Sequence, residues 1–206
     1  MSEVKMITYE PIIFKKRKGN KIINENVDIP PFLDASFRTE PSLNRDYPGI
    51  TSLCRKSKLA PHLKVGDKVV YITKKGEYTL KFRHWRLVAI LEVIETFESH
   101  YDAAKWYREN NYELPKNCIV DDNPPLSLNK TTINSQREID KIEKWYNERA
   151  KEYPQFNICK KEYVELENPP IIDESKMRMI FNNTIPGTQN PKRLSGDQYK
   201  ELIKLI

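Results

Sequence analysis

The sequence contains little cysteine, and its apolar residues never form a long run. The three cysteines, Cys54, Cys118 and Cys159, are an odd number at wide spacings, which argues against a disulfide framework and favours a reducing compartment. No apolar run approaches the roughly 18 residues that a membrane span requires. The first residues, Met-Ser-Glu-Val-Lys-Met, contain no hydrophobic signal region, so we expect a cytoplasmic protein without a membrane association.

Motifs for metal and phosphate chemistry are missing as well. There is no Cys-x-x-Cys, and His62, His84 and His100 do not pair with one another at helical or loop spacing, so no metal site is expected. With only 6 glycines, the chain has neither a Gly-x-Gly nor a Gly-Lys-Ser pattern, which excludes the common phosphate-binding loops. The sequence therefore predicts no metal and no cofactor.

Charged and aromatic residues, by contrast, are plentiful. Lysine plus arginine number 35 against 29 Asp plus Glu, a net charge of +6, and charged residues make up 31% of the 206 positions. This composition predicts a polar, loop-rich protein with one enlarged domain, and its mild positive field fits a polyanionic partner. Eleven tyrosines and three tryptophans are interleaved with the cations, an arrangement suited to an unstacked base and its phosphate. Nucleic acid, DNA or RNA, or a nucleotide is the expected partner.

Residues 1–28 are predicted to form an N-terminal β-hairpin extension. Ile12–Lys18 and Lys21–Val27 flank Gly19-Asn20, a turn pair suited to positive φ. The cationic cluster at the tip, Lys15 to Lys18, would be either a solvated turn or a finger that contacts phosphate.

Residues 29–130 are predicted to form the core of the protein. Pro30-Pro31 cannot enter a central strand, so Phe32–Phe37 is expected to be an edge strand or an extended entry into the domain. A long irregular loop then runs from about Arg38 to Lys64, and such loops are usually functional or mobile.

Two core strands follow this loop. Gly66-Asp67 marks a tight turn before a β-branched and aromatic run, and Trp85–Phe97 has nearly continuous apolar content in its first half. Two adjacent core strands joined by a short connecting segment suggest an α+β protein built on a small, closed, antiparallel β-barrel.

Residues 131–206 are predicted to form a helical and loop extension that packs on the core as one compact unit. Ser99, Ser135 and Ser195 each open a capping-box pattern, and 173–182 is predicted to be a short helix.

The three tryptophans have different expected roles. Trp106 and Trp145 lie in predicted helices and are expected to pack in the core. Trp85 lies between charged neighbours at the start of a predicted strand. Packing in the core and contact with a ligand are therefore equally expected for it.

Cys54 is the residue that most resembles a catalytic nucleophile. Arg55 and Lys56 follow it, and neighbouring cations lower a thiol pKa. The alternative is a small buried residue on a loop whose cations face solvent or a ligand. Because none of the histidines stands at a recognisable spacing for a general base, no catalytic residue is assigned and an enzyme is the less expected alternative.

The middle of the chain resembles the PUA-like superfamily, which includes the ASCH, EVE and YTH domains. Within it the nucleotide modification associated domains are the most similar. The segments that carry this resemblance are Ser36-Phe-Arg, Tyr47–Arg55, Leu63–Thr73, Arg86–Val93, Asn123-Pro-Pro and Ile185–Pro191.

The resemblance implies a small β-barrel with a cleft for a nucleobase, often a modified one. The residues that match the wall of this cleft by position are Ser36, Phe37, Arg38, Tyr47, Thr51, Ser52 and Arg55. Since the loop lacks a tryptophan, an aromatic cage would have to use Phe37, Tyr47 or Trp85. Lys15 to Lys18, Arg55, Lys56 and Lys58 would position phosphates.

Three hypotheses follow. The leading one is a non-catalytic module that holds an extruded or single-stranded base in a cleft walled by the loop from Phe37 to Lys56. The second is an enzyme acting on nucleotides or modified bases, with Cys54, Glu40 or Asp46 in the chemistry. The third is an interaction protein that docks a partner on the helices over 135–153 and 195–206.

Overall fold

In the described residues the fold combines a seven-stranded sheet with five α-helices. The computed structural model describes residues 2–187 and 190–206; Thr188 and Gln189, within the predicted loop 185–191, lie outside the described residues. The strands are β1 Val4–Tyr9, β2 Gly49–Ile50, β3 Lys68–Thr73, β4 Trp85–Phe97, β5 Phe156–Val164, β6 Ile171–Ile172 and β7 Lys192–Arg193. The helices are α1 Lys16–Glu25, α2 His100–Glu109, α3 Gln136–Glu152, α4 Glu174–Ile180 and α5 Gly196–Ile203.

The sheet is mixed and open. Its strand order is β2-β5-β4-β3-β1-β7, and β6 pairs with the start of β4. β3, β4 and β5 are antiparallel neighbours, whereas β1 runs parallel to β3, with Val4 opposite Lys68 and Tyr9 opposite Thr73. Among the described residues the two outer strands of this order do not pair with each other. The mixed helix-and-sheet class is therefore confirmed, but the closed antiparallel barrel is wrong.

The predicted N-terminal hairpin is also wrong. Its residues form a short 3-10 segment, Ile12–Lys15, followed directly by α1, which passes through Gly19-Asn20. Gly19 does not form a turn. Its missing side chain lets α1 pack closely against the backbone of Ile12, because a Cβ at Gly19 would lie 2.0 Å from the Ile12 carbonyl oxygen. Ile12 and Ile22 are both buried in one apolar cluster, so tertiary packing of the isoleucines overrides the local turn signal.

The two core strands are confirmed, and their alternation divides the core into two layers. Val69 and Tyr71 of β3 face one layer, and Val70 and Ile72 face the other. This is the period-2 pattern of a strand buried on both faces. Gly66, in the turn before β3, has a φ of +88°, as the Gly-Asp pair predicts.

Each layer is covered by a different part of the chain. The C-terminal helices cover one face, with Met177 of α4 and Leu202 of α5 fully buried. The long loop over residues 34–64 covers the other face and contributes Leu43, Ile50 and Leu59 to its core. The site described below lies on this loop-covered face.

The loop is irregular, as predicted, but the prediction for the residues that lead into it, 32–37, is wrong. Residues 32–37 form turns and a single bridge between Pro11 and Asp34 rather than an edge strand. The loop contains only the short β2 and two 3-10 turns, Lys56–Lys58 and Ala60–His62. β1 comes from residues 1–28, β3 and β4 from 29–130, and β5 from 131–206, so all three predicted segments contribute strands to one sheet.

The helix starts agree with the sequence. The hydroxyls of Ser99, Ser135 and Ser195 each accept a hydrogen bond from the backbone N–H three residues later, and Ser195 with Gln198 forms the full reciprocal box. These caps satisfy N–H groups that a helix cannot pair internally. Local chemistry therefore determines where these helices begin.

Candidate ligand-binding cleft

A cleft of about 390 Å³ opens on the loop-covered face of the sheet. Its floor comes from the ends of β1 and β3, and its walls from the loop 34–59, from Thr132 and Ile133 before α3, and from Ile142 and Tyr146 within α3. The polar residues that line it are Thr8, Glu10, Asp34, Ser36, Glu40, Thr51, Cys54, Arg55, Lys74 and Thr132, and the aromatic residues are Tyr9, Tyr71 and Tyr146. The cleft thus combines flat apolar surface with donors and acceptors.

Asp34 is a buried acid held in place by three donors. The backbone N–H of Ser36 (2.9 Å), the Ser36 hydroxyl (2.5 Å) and the backbone N–H of Glu40 (3.2 Å) all donate to its Oδ1. Burial raises the pKa of Asp34 to about 6, and the Glu10 carboxylate adds to this rise against the effect of the donors.

Glu40 lies beside it in a denser network. Its Oε1 accepts from the backbone N–H of Thr51 (3.0 Å), and its Oε2 accepts from the Thr51 hydroxyl (2.6 Å) and from Asn117 Nδ2 (2.7 Å). Burial raises the pKa of Glu40 to about 8, which these donors oppose and the Asp34 carboxylate reinforces. Near neutral pH Glu40 is therefore protonated more readily than Asp34.

The Cys54 side chain lines the cleft and is exposed, contrary to the alternative of a small buried residue. Its Sγ lies 3.5 Å from the Tyr146 hydroxyl. Enclosure by protein atoms raises the pKa of the thiol to about 12, and the nearby carboxyls of Asp34 and Glu40 act in the same direction. The thiol is therefore reachable but neutral, because the effect of Arg55 is smaller than that of burial and of the two acids.

Cations lie at the edge of the cleft. Arg55 donates through Nη2 to the carbonyl oxygen of Thr8 on β1. Lys74 donates to Glu10 Oε2 at 2.9 Å, and the pKa of Glu10 is lowered by Lys74 and Lys15, which outweigh its partial burial. These contacts place positive groups beside the acids of the cleft.

The structure brings three of the predicted binding residues together: Ser36, Thr51 and Arg55 all line the cleft. Glu40, which the enzyme hypothesis named, lines it too. Asp46, named with it, lies instead in a separate depression of the surface with Tyr47.

Three other predicted residues are buried behind the cleft wall. The Phe37 ring stacks on the Tyr146 ring with a centroid distance of 5.4 Å. Arg38, 3% exposed, is bound by Glu143 and by backbone carbonyls. Ser52 is fully buried, and its hydroxyl has no hydrogen-bond partner among the described residues. These side chains support the loop and do not line the cleft.

The remaining predicted residues lie elsewhere. Tyr47 packs against the rings of Trp106 and Tyr112, at centroid distances of 5.5 and 4.5 Å. Lys56 is exposed outside the cleft lining, and Trp85 is 2% exposed in the core beneath the C-terminal helices. The predicted aromatic cage of Phe37, Tyr47 or Trp85 therefore does not line the cleft; the aromatic wall is made by Tyr9, Tyr71 and Tyr146.

Trp145 is a further exception to expectation, because it is 45% exposed rather than packed in the core. The Lys141 ammonium lies over its ring, 5.2 Å from the centroid. Tyr146, the next residue, faces the opposite way and is buried against the loop. The aromatic residues of α3 are thus divided between the cleft and the surface.

Sequence reasoning missed Asp34, a buried acid of the cleft that accepts three hydrogen bonds. A local signal was present, because an Asp two residues before a Ser is typical of a turn in which the carboxylate accepts from the backbone. Tyr9 and Tyr71 gave no such signal. They meet only because β1 and β3 pair in parallel, which places Tyr9 opposite Thr73 and Ile7 opposite Tyr71.

Neither a metal site nor a membrane span is found in residues 2–187 and 190–206. No three His, Cys, Asp or Glu side chains of this part are grouped so that they could hold a metal ion. Every helix of the same residues is too short or too polar to cross a membrane.

Comparisons with known proteins find one distant structural similarity. No family model matches the sequence, and no curated protein matches it. The fold is similar to that of a solved structure described as "Crystal structure of ASCH from Zymomonas mobilis", with a TM-score of 0.42 and 8% sequence identity. The match covers 98% of this chain and 95% of that chain. At this level the similarity assigns neither a family nor a function to the chain.

Proposed function

We propose that the cleft binds a nucleobase, and that the protein is a binding module for nucleic acid or nucleotides. The observation that carries this proposal is the convergence of Asp34, Ser36, Thr51 and Arg55 around one cleft with tyrosine walls. Its volume of about 390 Å³ falls within the range of about 300–1,000 Å³ that is usual for small-ligand sites.

The chemistry of the lining suits the edge of a base. The Asp34 carboxylate can accept from a ring N–H or an exocyclic amine, and the Ser36 hydroxyl can accept as well. Arg55 supplies donors for carbonyl or ring-nitrogen acceptors. The flat faces of a base would contact tyrosine rings and the aliphatic residues Ile7 and Leu59, as unstacked bases do on aromatic surfaces.

The overall charge of the protein supports the same class of ligand. A net charge of +6 attracts a polyanion over distances of about a Debye length. A buried carboxylate inside a basic protein would not favour binding of a phosphate in the cleft itself. We therefore assign the base to the cleft and the phosphates to its surroundings.

The test is a binding panel of modified and unmodified nucleosides and short oligonucleotides, measured with the wild-type protein and Asp34→Asn. Asparagine keeps an oxygen for the Ser36 and Glu40 donors but removes the charge. Since hydrogen bonds to charged groups contribute about 1.5–3 kcal/mol, affinity for a base that donates to Asp34 should fall by roughly 10- to 100-fold.

The exposed Asp121→Asn serves as the matched control and should bind like the wild type. Thermal unfolding of Asp34→Asn confirms that the fold is retained. The proposal is wrong if no member of the panel binds, or if Asp34→Asn and Asp121→Asn bind with equal affinity.

A second candidate is acid–base chemistry on the bound base. The observation that favours it is a pair of buried carboxyls whose pKa values are shifted to about 6 and about 8 in one cleft, since such a separation defines a base and an acid at neutral pH. Incubation with the same panel, followed by mass spectrometry, tests it. Conversion that Glu40→Gln abolishes while binding is retained would favour catalysis, and an unchanged panel would exclude it for those compounds.

A further inference from the structure

A basic and aromatic surface lies directly beside the cleft, formed by the β3–β4 loop over residues 74–84 and by the segment 13–16. We propose that this surface, called here the flanking surface, holds the single-stranded nucleic-acid chain next to the base in the cleft. This inference rests on the proposed function and adds a second binding surface to it.

The flanking surface is continuous with the cleft. It contains a groove of about 220 Å³ lined by Ile13, Phe14, Lys16, Lys75, Tyr78 and Arg83, among others. Lys74 lines the cleft and the next residue, Lys75, lines the groove; in the other segment Glu10 lines the cleft and Ile13 lines the groove. A strand that leaves the cleft past Lys74 would therefore reach the groove at Lys75.

A row of rings leads from the surface into the groove. Phe82 is 49% exposed, and its ring centroid lies 5.0 Å from that of His84. The His84 ring lies 5.3 Å from Tyr78, which in turn lies 6.2 Å from Phe14. The His84 ring is buried and the Tyr78 and Phe14 rings are half-buried, whereas Phe82 presents its ring to solvent at the end of the row.

Phe82 is flanked by exposed cations on both sides. Lys81 and Arg83 are exposed, and neither has an acidic partner within ion-pair distance among residues 2–187 and 190–206. Arg83 donates to the carbonyl oxygen of Lys75 at 3.3 Å, which orients its guanidinium toward the groove. The nearest acid of the loop, Glu77, is already paired with Lys16 at 2.5 Å.

This combination selects the class of partner. An exposed ring between two cations matches a base and its two neighbouring phosphates, because stacking and ion pairing then occur at one nucleotide spacing. An acidic peptide would use the cations but not the ring. A duplex would not offer an unstacked base. The partner is therefore a single strand.

The experiment compares an oligonucleotide with the nucleoside that the cleft binds. Single strands of about 12 nucleotides, within the size that one small domain covers, are titrated by fluorescence anisotropy at several salt concentrations. The variants are Phe82→Ala and the double change Lys81→Ala with Arg83→Ala. The matched controls are Tyr101→Ala and Lys105→Ala on α2, whose side chains are similarly exposed.

We expect Phe82→Ala to weaken oligonucleotide binding about tenfold, since stacking on one aromatic residue has that effect or more. The double cation variant should lower the slope of log affinity against log salt by about 0.7 for each phosphate that it no longer binds. Neither variant should change nucleoside affinity, and the α2 controls should bind like the wild type.

The possible failures are distinguishable. If the oligonucleotide binds and Asp34→Asn weakens it while Phe82→Ala behaves like Tyr101→Ala, the flanking surface is wrong and the cleft stands. If Phe82→Ala weakens the binding of nucleoside and of oligonucleotide equally, Phe82 affects the cleft and does not contact the neighbouring nucleotides. That result also overturns the inference. Absence of all binding overturns both proposals.

Discussion

The guanidinium of Arg38 is paired with the carboxylate of Glu143, with Nε 3.1 Å from Oε2. The pair joins the long loop to α3 behind the cleft. Nη1 of the same arginine donates to the carbonyl oxygens of Lys116 (3.0 Å) and Asn123 (2.6 Å). A residue that the sequence assigned to the ligand thus connects three segments of the protein.

Replacement of Arg38 by Ala should lower the free energy of unfolding by about 3–5 kcal/mol, because it leaves a mostly buried carboxylate and two carbonyls without a donor. Arg38→Lys should recover only part of this loss, since a single ammonium cannot reproduce the planar set of donors. Urea unfolding at neutral pH measures both changes.

Arg45→Ala is the control for this prediction. Arg45 also pairs with a glutamate, Glu113, but the glutamate side chain is 78% exposed, and pairs of this kind contribute at most about 1 kcal/mol. Equal losses in the Arg38 and Arg45 variants would contradict the assigned role of Arg38.

His100 should make the protein sensitive to acid. It is 4% exposed, its Nδ1 accepts from the backbone N–H of Ile119 at 3.0 Å, and burial together with the charge of Arg38 lowers its pKa to about 4. The folded state thus holds His100 neutral, whereas the unfolded chain takes up a proton near pH 6.5. The resulting stability is complete above about pH 6.5 and is lost as the pH falls toward 4.

The difference between wild type and His100→Asn isolates this effect. Asparagine can accept from Ile119 through its side-chain oxygen but does not titrate. Between pH 7 and pH 4 the wild type should lose about 3 kcal/mol more stability than the variant, which is the linkage value of a shift from 6.5 to 4. The raised pKa values of Asp34 and Glu40 increase stability as the pH falls. This effect is the same in the wild type and the variant, so it cancels in the difference. Parallel stability curves would show that His100 does not titrate in this way.

Alanine at Gly19 should destabilise the protein although alanine favours helices. Its Cβ would meet the carbonyl oxygen of Ile12 at 2.0 Å, and such overpacking costs about 1–3 kcal/mol. Gly196, at the start of α5, has nothing within 4 Å of the same position, so Gly196→Ala should leave stability unchanged or raise it by up to about 1 kcal/mol. Thermal unfolding of the two variants gives the comparison. Stabilisation by Gly19→Ala would mean that Ile12 and α1 are not packed as described.

Cys54 should react slowly with iodoacetamide at neutral pH although it opens into the cleft. With a pKa near 12 its thiolate fraction at pH 7 is roughly a hundredfold or more below that of a free thiol, and the rate follows the thiolate. Cys118 and Cys159 are fully buried and should not compete. The rate should rise steadily between pH 7 and pH 10, and Cys54→Ser should abolish labelling. Alkylation as fast as that of a free model thiol would instead support an activated nucleophile.

Local patterns predicted the elements whose cause is local. The strand Trp85–Phe97 has the bounds that its apolar run predicts, and the serine caps mark the starts of α2, α3 and α5. The errors come where distant segments compete with local preference. Gly19-Asn20 suits a hairpin turn, but Ile12 and Ile22 gain more by burying one helical face.

In the candidate site, too, some residues were predicted from local sequence and others depended on distant segments. Ser36, Thr51 and Arg55 were predicted and do line the cleft, because the loop that carries them is long, polar and rich in turn residues. Their neighbours Phe37, Arg38 and Ser52 could not be told apart from them by sequence, since the direction of a side chain in an irregular loop depends on what packs behind it. Here that packing is supplied by α3, about a hundred positions later in the chain.

The sequence alone therefore determined the polar, cation-rich character of the protein, the core strands β3 and β4, and the starts of α2, α3 and α5, because composition, alternation and caps act over a few residues. Only the tertiary structure decided that the sheet is open, that β1 joins it in parallel, and that Asp34 and Glu40 share a cleft with Tyr9 and Tyr71. Those features depend on pairing and burial between residues far apart in the chain, and the free energy of such contacts is not encoded in any single segment.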